Sequence, residues 1–283
     1  MDYREIDDKD DLREYIGSLI TEGRTTLALD LEGEFNLHVY GERLCLVQVY
    51  DGRDVVIIDP LKIETEALKI LFESEELLKV MWDASSDISL LVNGYETTIR
   101  NVLDLRPAAD LLELPKKDYA SVLKNLLGIE TKKKKKFQQY NWLRRPIDPE
   151  ALEYAIGDVL HLFDLQQELL SRLKTTGQLE EFHRRSMIVQ SRDYKRTPGQ
   201  RHTKMKGYKY LKRHEQELLR RLFYLRDRHA RRLNMPPHNV IANPDLMALS
   251  RSDLHAGMLR FSRRIRENDR RRILQELQRE LKD

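Results

Sequence analysis

Three short apolar runs near the start of the chain constrain its fold more than any other feature. The runs are TTLALDLEGEF (25–35), RLCLVQVYD (43–51) and DVVIIDP (54–60), and turn residues such as Asp51-Gly52 separate them. Their β-branched and apolar residues predict strands, and the short connections favour antiparallel neighbours. Helix patterns then alternate with further strand patterns as far as about residue 173. This order predicts an α/β domain with a mixed sheet flanked by helices.

The later elements of this domain can be placed from their patterns and their capping residues. Asp148-Pro149 supplies an N-cap and a first-turn proline for one long helix that reaches about Leu173. Two further strands are predicted in LLKVMWDA and TIRNVLDL. Shorter helices are predicted over Glu64–Glu73, Ser86–Val92, Arg106–Leu114 and Tyr119–Leu127.

A composition change divides the chain. The segment 191–206 is polar and basic and contains Pro198-Gly199, which is typical of a linker. Beyond it, residues 207–283 carry helix patterns over Tyr208–Leu233 and Arg263–Leu281, with a short helix around 245–249. We therefore predict an α/β domain over 1–190, a basic linker over 191–206, and a small all-helical domain over 207–283.

The net charge of +3 conceals an uneven distribution. Residues 1–182 hold 23 Lys+Arg and 36 Asp+Glu, whereas residues 183–283 hold 27 and 11. A basic region of this kind indicates a partner that is a polyanion.

Several classes of protein are excluded by the composition. The sequence has no apolar stretch long enough for a membrane span, and its acidic start lacks the features of a secretory signal. The single cysteine, Cys45, excludes an internal disulfide and a cysteine-rich zinc site. We expect a cytoplasmic protein with no membrane contact and no disulfide partner.

Carboxylates occur where an apolar core is expected. Asp30 and Glu32 lie two residues apart in the first strand, so their side chains share a face. Asp87 begins a predicted helix, and Tyr154 lies one helical turn before Asp158. If these elements converge, four repelling acids need a divalent cation such as Mg²⁺ or Mn²⁺, and two such ions support phosphoryl displacement. The alternative is a strand that ends at the surface, where its acids are solvated.

The order of these motifs resembles a known enzyme family. LDLE (29–32), WDASSDI (82–88) and YAIGD (154–158), with the lead-in QQYNWLRRP, are similar to the motifs of the DEDD 3′–5′ exonucleases, and of ribonuclease D in particular. That family has a ribonuclease H-like fold. Residue 153, a histidine in the DEDDh branch, is Glu153 here, whereas Tyr154 matches the DEDDy branch.

The resemblance implies a role for each matched residue. Asp30 would bridge two divalent ions, Glu32 and Asp158 would hold the first, and Asp87 would hold the second through water. Tyr154 would orient the attacking water. The helical tail similarly resembles a helicase-and-RNase-D C-terminal (HRDC) domain, of which this chain has room for one. Asp104 matches a family aspartate with a structural role.

The implied activity is hydrolysis of RNA from its 3′ end to 5′-mononucleotides, in the maturation or turnover of tRNA or other structured RNA. An exonuclease that acts on single-stranded DNA or short oligonucleotides remains an alternative, as does an inactive nucleic-acid-binding scaffold. The sequence does not choose between the sugars, because the two-metal reaction does not require the 2′-OH.

Substrate contacts are predicted outside the carboxylates. The run Lys132–Lys136 is followed by aromatic residues, an arrangement that can pair phosphates and stack bases, although a core position is favoured for Trp142. From this region we select Lys134, Lys135, Lys136 and Arg144 as phosphate contacts. Two residues that follow the first strand, His38 and Tyr40, are close enough in sequence to contact substrate, although ordinary loop positions are the favoured interpretation.

Overall fold

The structure, a computed structural model, describes residues 2–131, 136–196, 199 and 201–282. It divides into two compact units. The first consists of Met1–Gly33 and Arg43–Lys195, and the second of Glu34–Glu42 and Arg196–Asp283. The second unit thus includes a short segment between the first two apolar runs as well as the C-terminal part of the chain, which the sequence patterns do not reveal.

The first unit is built on a six-stranded mixed sheet. Its strands are β1 (Arg4–Ile6), β2 (Thr26–Phe35), β3 (Glu42–Tyr50), β4 (Val55–Ile58), β5 (Leu78–Met81) and β6 (Val102–Asp104). They lie in the order β1-β4-β3-β2-β5-β6. β3 and β4 are antiparallel as predicted, whereas β1 runs parallel to β4, and β5 runs parallel to both β2 and β6. The mixed sheet confirms the predicted fold class.

Strand β2 lies inside the sheet, between β3 and β5. Consecutive residues Leu27, Ala28 and Leu29 are all fully buried, because helices cover both faces of the sheet. The carboxylates of β2 follow directly on this apolar run. They therefore follow a fully buried segment of a strand that has a neighbouring strand on each side.

Helices flank the sheet. They are α1 (Lys9–Thr21), α2 (Thr65–Phe72), α3 (Ser85–Gly94), α4 (Arg106–Leu111), α5 (Tyr119–Leu127), α6 (Pro149–Leu160), α7 (Leu162–Thr175) and α8 (Leu179–Ser191). The predicted single helix from Asp148 to about Leu173 is wrong, because its backbone breaks at His161 (φ −107°, ψ 8°). Its predicted start is confirmed: the Asp148 carboxylate accepts a hydrogen bond from the Glu150 N–H, and Pro149 opens α6.

The second unit is helical. Its helices are α9 (Arg213–Leu233), α10 (Pro237–Val240), α11 (Asn243–Ser250) and α12 (Glu267–Glu280). The apolar residues Leu219, Leu222 and Leu225 of α9 are fully buried in the core of this unit. α9 begins later than predicted, because Tyr208–Tyr210 forms a separate 3₁₀ turn. Across the described residues, none of the helices combines the length and the apolarity of a membrane span.

Candidate active site

Three carboxylates converge in the first unit. Asp30 and Glu32 come from β2, and Asp158 comes from α6. Each offers one oxygen, and these oxygens all lie within 4.8 Å of one another. The three residues are half-buried, so they can be reached from solvent while remaining partly desolvated. An all-oxygen set of three acids at this spacing fits a hard divalent cation, which would also offset the repulsion between them.

Local structure explains why these side chains meet. The strand period of two places Asp30 and Glu32 on one face of β2, and the intervening Leu31 is buried in the core. On α6 the spacing of four residues places Tyr154 and Asp158 on one face. The N-cap and proline at the start of α6 fix its register, and thereby the position of this face.

Tyr154 is held from two sides. It forms a hydrogen bond with the Asp158 carboxylate. Its ring stacks on the buried Phe137, with centroids 4.9 Å apart and an angle of 23° between the planes. Burial, and then the negative charges of Asp158 and Glu32, raise the pKa of Tyr154 above that of an ordinary tyrosine. The phenol therefore stays protonated at neutral pH and can donate a hydrogen bond.

Asp87 lies apart from the cluster of three oxygens. It is buried in the first turn of α3, and burial together with the charges of Asp83 and Asp104 raises its pKa well above that of an ordinary aspartate. A nearby cation would favour the charged form and reverse this direction. The implied role of Asp87, which acts through water, does not require it to join the other three.

Asp104 supports the turn that leads to Asp87. Its carboxylate accepts hydrogen bonds from the N–H groups of Asp83 (2.8 Å) and Ala84 (3.1 Å). Asp83 has a φ of 59°, a left-handed conformation that such bonds help to hold. These contacts agree with the structural role that the resemblance implied.

Tyr119, at the start of α5, is a site residue that the sequence did not reveal. It is buried, and burial followed by the charges of Asp158 and Asp30 raises its pKa well above that of an ordinary tyrosine. Its hydroxyl donates a long hydrogen bond of 3.4 Å to the carbonyl of Gly157. In the sequence it is one apolar position of an amphipathic helix, with no spacing that relates it to the carboxylates.

Comparison with known proteins gives the family. The 3′–5′ exonuclease family matches residues 3–174, more than half of the chain. The chain belongs to this family. The exonuclease match includes Asp30, Glu32, Asp87, Tyr154 and Asp158.

Several relatives are known. A ribonuclease D of Xanthomonas oryzae pv. oryzae is 30% identical over 245 residues, which are 83% of this chain and 66% of that protein. A crystal structure of Escherichia coli RNase D, an exoribonuclease involved in structured RNA processing, is 22% identical with a TM-score of 0.78, and the match covers all of this chain and 75% of the other. The catalytic core of RRP6 from Trypanosoma brucei is 21% identical with a TM-score of 0.80, covering 99% and 80%. The chain spans less than two thirds of the length of the curated relatives.

Of the four basic residues predicted to contact phosphate, the structure describes two. Lys134 and Lys135 lie outside the described residues. Lys136 forms an ion pair with Glu150, and Arg144 is exposed. Lys136 therefore already has an anionic partner, and a phosphate would compete with Glu150 for it.

The aromatic residues after the lysine run belong to the core. Phe137 and Trp142 are 4% and 3% exposed, which leaves no ring face for a base. Beside them, Arg145 holds the Asp59 carboxylate with two hydrogen bonds of 2.7 Å and donates another to the carbonyl of Trp142. The stacking interpretation of this segment is therefore wrong for Phe137, whereas the core position favoured for Trp142 is confirmed.

His38 and Tyr40 belong to the second unit. The buried carboxylate of Glu34 accepts hydrogen bonds from the backbone and the ring of His38, each 2.9 Å long. Tyr40 donates to Asp227 over 2.8 Å, and the Arg231 guanidinium lies 5.5 Å from the centre of its ring. Both side chains have protein partners, which favours the interpretation of ordinary loop positions. Glu34, which shares a face with Asp30 and Glu32 in sequence, lies outside their cluster.

Proposed function

We propose that this chain is a 3′–5′ exoribonuclease of the ribonuclease D type, which hydrolyses RNA from the 3′ end to 5′-mononucleotides. The observation that carries the proposal is the convergence of Asp30, Glu32 and Asp158, with Tyr154 bonded to Asp158. These three acids and the protonated phenol are four of the five residues matched to the DEDDy motifs, and the fifth is Asp87. A phosphodiester is the substrate class for which such a set is suited.

Divalent cations are the cofactors that this donor set accepts. We propose two ions, Mg²⁺ or Mn²⁺, with Asp30 shared, Glu32 and Asp158 on the first, and Asp87 on the second through water. Carboxylates and water are the ligands that these hard ions prefer. When bound, the pair would stabilise the charge that develops on the attacking and leaving oxygens.

The protein itself would position the reacting groups. Tyr154 stays protonated, so its one proton can be donated to Asp158 while the hydroxyl oxygen accepts a hydrogen bond from a water molecule and holds it in place. The stack on Phe137 restricts the ring to one orientation. Asp104 fixes the turn before Asp87. A site whose side chains are already oriented loses little entropy when substrate binds.

RNA is the substrate that we propose, with tRNA precursors and other structured RNA as the natural class. The named relatives include ribonuclease D and RRP6, and the E. coli RNase D is an exoribonuclease involved in structured RNA processing. We propose that residues 1–190 act as the exonuclease domain, 191–206 as a linker and 207–283 as an HRDC-like nucleic-acid-binding domain. The cytoplasm is the compartment that we propose for this reaction.

An end-resolved digestion tests the proposal. Asp30→Asn should abolish hydrolysis of a 3′-labelled single-stranded RNA and the binding of two Mn²⁺ ions, while RNA binding is retained. The control is Glu66→Gln, which alters an exposed i,i+3 pair with Lys69 and should leave the rate unchanged. Metal-dependent cleavage that persists in purified Asp30→Asn would show that these acids are not the site. The same time course on matched DNA decides between the two sugars.

A further inference from the structure

The beginning of the helical unit carries a dense basic segment. Residues 201–214, RHTKMKGYKYLKRH, contain six Lys and Arg residues and no Asp or Glu. Two of its residues, His202 and Leu211, are buried against the core of the second unit. The six cationic side chains are Arg201, Lys204, Lys206, Lys209, Lys212 and Arg213, and all of them are exposed.

The backbone of this segment is ordered by short-range hydrogen bonds. The N–H of Met205 donates to His202 O (3.2 Å), and that of Tyr208 donates to Met205 O (3.0 Å). Gly207 has a φ of 94° and packs so closely that a Cβ there would lie 3.3 Å from Met247 Cε. The same added Cβ would lie 3.8 Å from a guanidinium nitrogen of Arg251. The backbone that carries these basic side chains is therefore ordered, and Arg251 lies beside it.

These cations are available in a way that four later arginines of α9 are not. Along α9, ion pairs to acids of the same unit engage Arg220 with Glu217, Arg221 with Glu280, Arg228 with Glu276 and Arg232 with Asp269. Within the part of the chain that the structure describes, none of the six cations of residues 201–214 has such a partner. These cations could therefore neutralise phosphates of a polyanion, and release the counterions bound to it, without first losing a carboxylate partner.

An aromatic ring lies open in the middle of the segment. Tyr210 is 74% exposed, and the Lys209 ammonium lies 5.0 Å from the centre of its ring. An aromatic ring exposed to water gains little stabilisation there, whereas a nucleobase that stacks on it would bury its apolar face. An open aromatic ring among lysines is the arrangement used to bind single strands, in which rings stack bases and cations track the backbone.

We propose that residues 201–214 form a binding surface for single-stranded RNA, with one base stacked on Tyr210 and phosphates on the surrounding cations. This surface would add a substrate-binding site to the proposed function, and the inference rests on that function only for the choice of RNA as the polymer. It differs from a surface for an acidic protein in one respect: the tyrosine contributes only when the ligand has bases.

Equilibrium binding of the full-length protein tests the stacking contact. Binding is measured in EDTA, which prevents hydrolysis, with a fluorescent single-stranded RNA and with an abasic strand of equal length. Tyr210→Ala should weaken RNA binding roughly 5- to 150-fold, the effect of one lost stacked base, and should leave abasic binding unchanged. Tyr210→Phe should bind like the parent. The matched control is Met258→Ala, which alters another open side chain of the unit, 71% exposed.

Salt dependence tests the phosphate contacts. Replacing Lys206, Lys209 and Lys212 together by Ala should lower the slope of log K against log salt by about 2, since each phosphate contact to a single strand contributes about 0.7. The paired Arg220 supplies the control, because Arg220→Gln should change the slope little. An unchanged slope, or an equal loss with Tyr210→Ala on abasic and normal strands, would overturn the proposal. Because binding is read without hydrolysis, a failed exonuclease assay and a failed binding assay remain distinguishable.

Discussion

Replacing Tyr154 by Phe removes one hydroxyl from the proposed site and leaves the ring in place. The stack on Phe137, with centroids 4.9 Å apart, needs only the ring, so the fold should be preserved. What is lost is the hydrogen bond to Asp158 and the group that would hold the attacking water. We therefore expect Tyr154→Phe to slow the chemical step of hydrolysis and to change the affinity for RNA little.

The size of the effect follows from the bond that is removed. A hydrogen bond to a charged group contributes roughly 1.5–3 kcal/mol, which corresponds to a factor of about 10–150 in rate. Orientation of the water adds to this, because a positioned group that assists proton transfer contributes about 10²- to 10⁴-fold. We expect kcat to fall by about 10²- to 10⁴-fold and KM to change less than about threefold.

Tyr119→Phe is the matched control. Tyr119 is also a buried tyrosine whose pKa is raised by burial and then by the charges of Asp158 and Asp30, but the bond that its hydroxyl donates to Gly157 is long, 3.4 Å, and goes to a neutral carbonyl. Such a bond contributes about 0.5–1.5 kcal/mol, so the rate should fall by about tenfold at most. Single-turnover digestion of a 3′-labelled RNA, with Mn²⁺ binding measured on each variant, compares the two. Equal rate losses would refute the role given to Tyr154.

Two further predictions concern groups around the site. Phe137→Leu should lower kcat about three- to tenfold, because the aromatic pair contributes about 0.5–1.5 kcal/mol to fixing Tyr154. Phe137→Tyr keeps the aromatic pair and should retain the parent kcat. Identical single-turnover rates for the two variants would contradict this prediction. Burial lowers the pKa of Lys79 from 10.5 to about 8, and its ammonium donates to the carbonyl of Arg100 (2.9 Å). The folded state thus binds fewer protons than the unfolded state, so stability relative to Lys79→Met should rise by about 2 kcal/mol between about pH 7.5 and 9.5. Urea unfolding of both proteins measures this difference, and one that is independent of pH would contradict it.

Local spacing was the part of the site that could be predicted from sequence. The pairs Asp30 with Glu32 and Tyr154 with Asp158 share faces because strand and helix periods fix them within a few residues. That β2 and α6 meet could be expected only from the resemblance, since no local rule relates elements more than a hundred residues apart. Tyr119 was missed for the same reason: its relation to the carboxylates exists only in the folded chain.

The errors in the fold have local explanations. The predicted long helix breaks at His161, yet its apolar periodicity continues from Val159 to Leu162 and Leu165, and no Pro or Gly marks the break. Strand β1 has three residues, too few for alternation to be visible. Its hydrogen bonds to β4 stabilise it in spite of this.

The distribution of unpaired charge was the property predicted least well from sequence, because ion pairs form between residues that meet only in the folded chain. The 27 Lys and Arg of residues 183–283 suggest a uniformly basic tail. In the folded unit, α12 contributes Glu276 and Glu280 to pairs with arginines of α9, so much of that charge is already balanced. An approaching polyanion responds most strongly to cations that have no such partner, and residues 201–214 hold six of them together within the part of the chain that the structure describes. The distribution of unpaired cations, more than the net charge, therefore indicates where this chain would bind RNA.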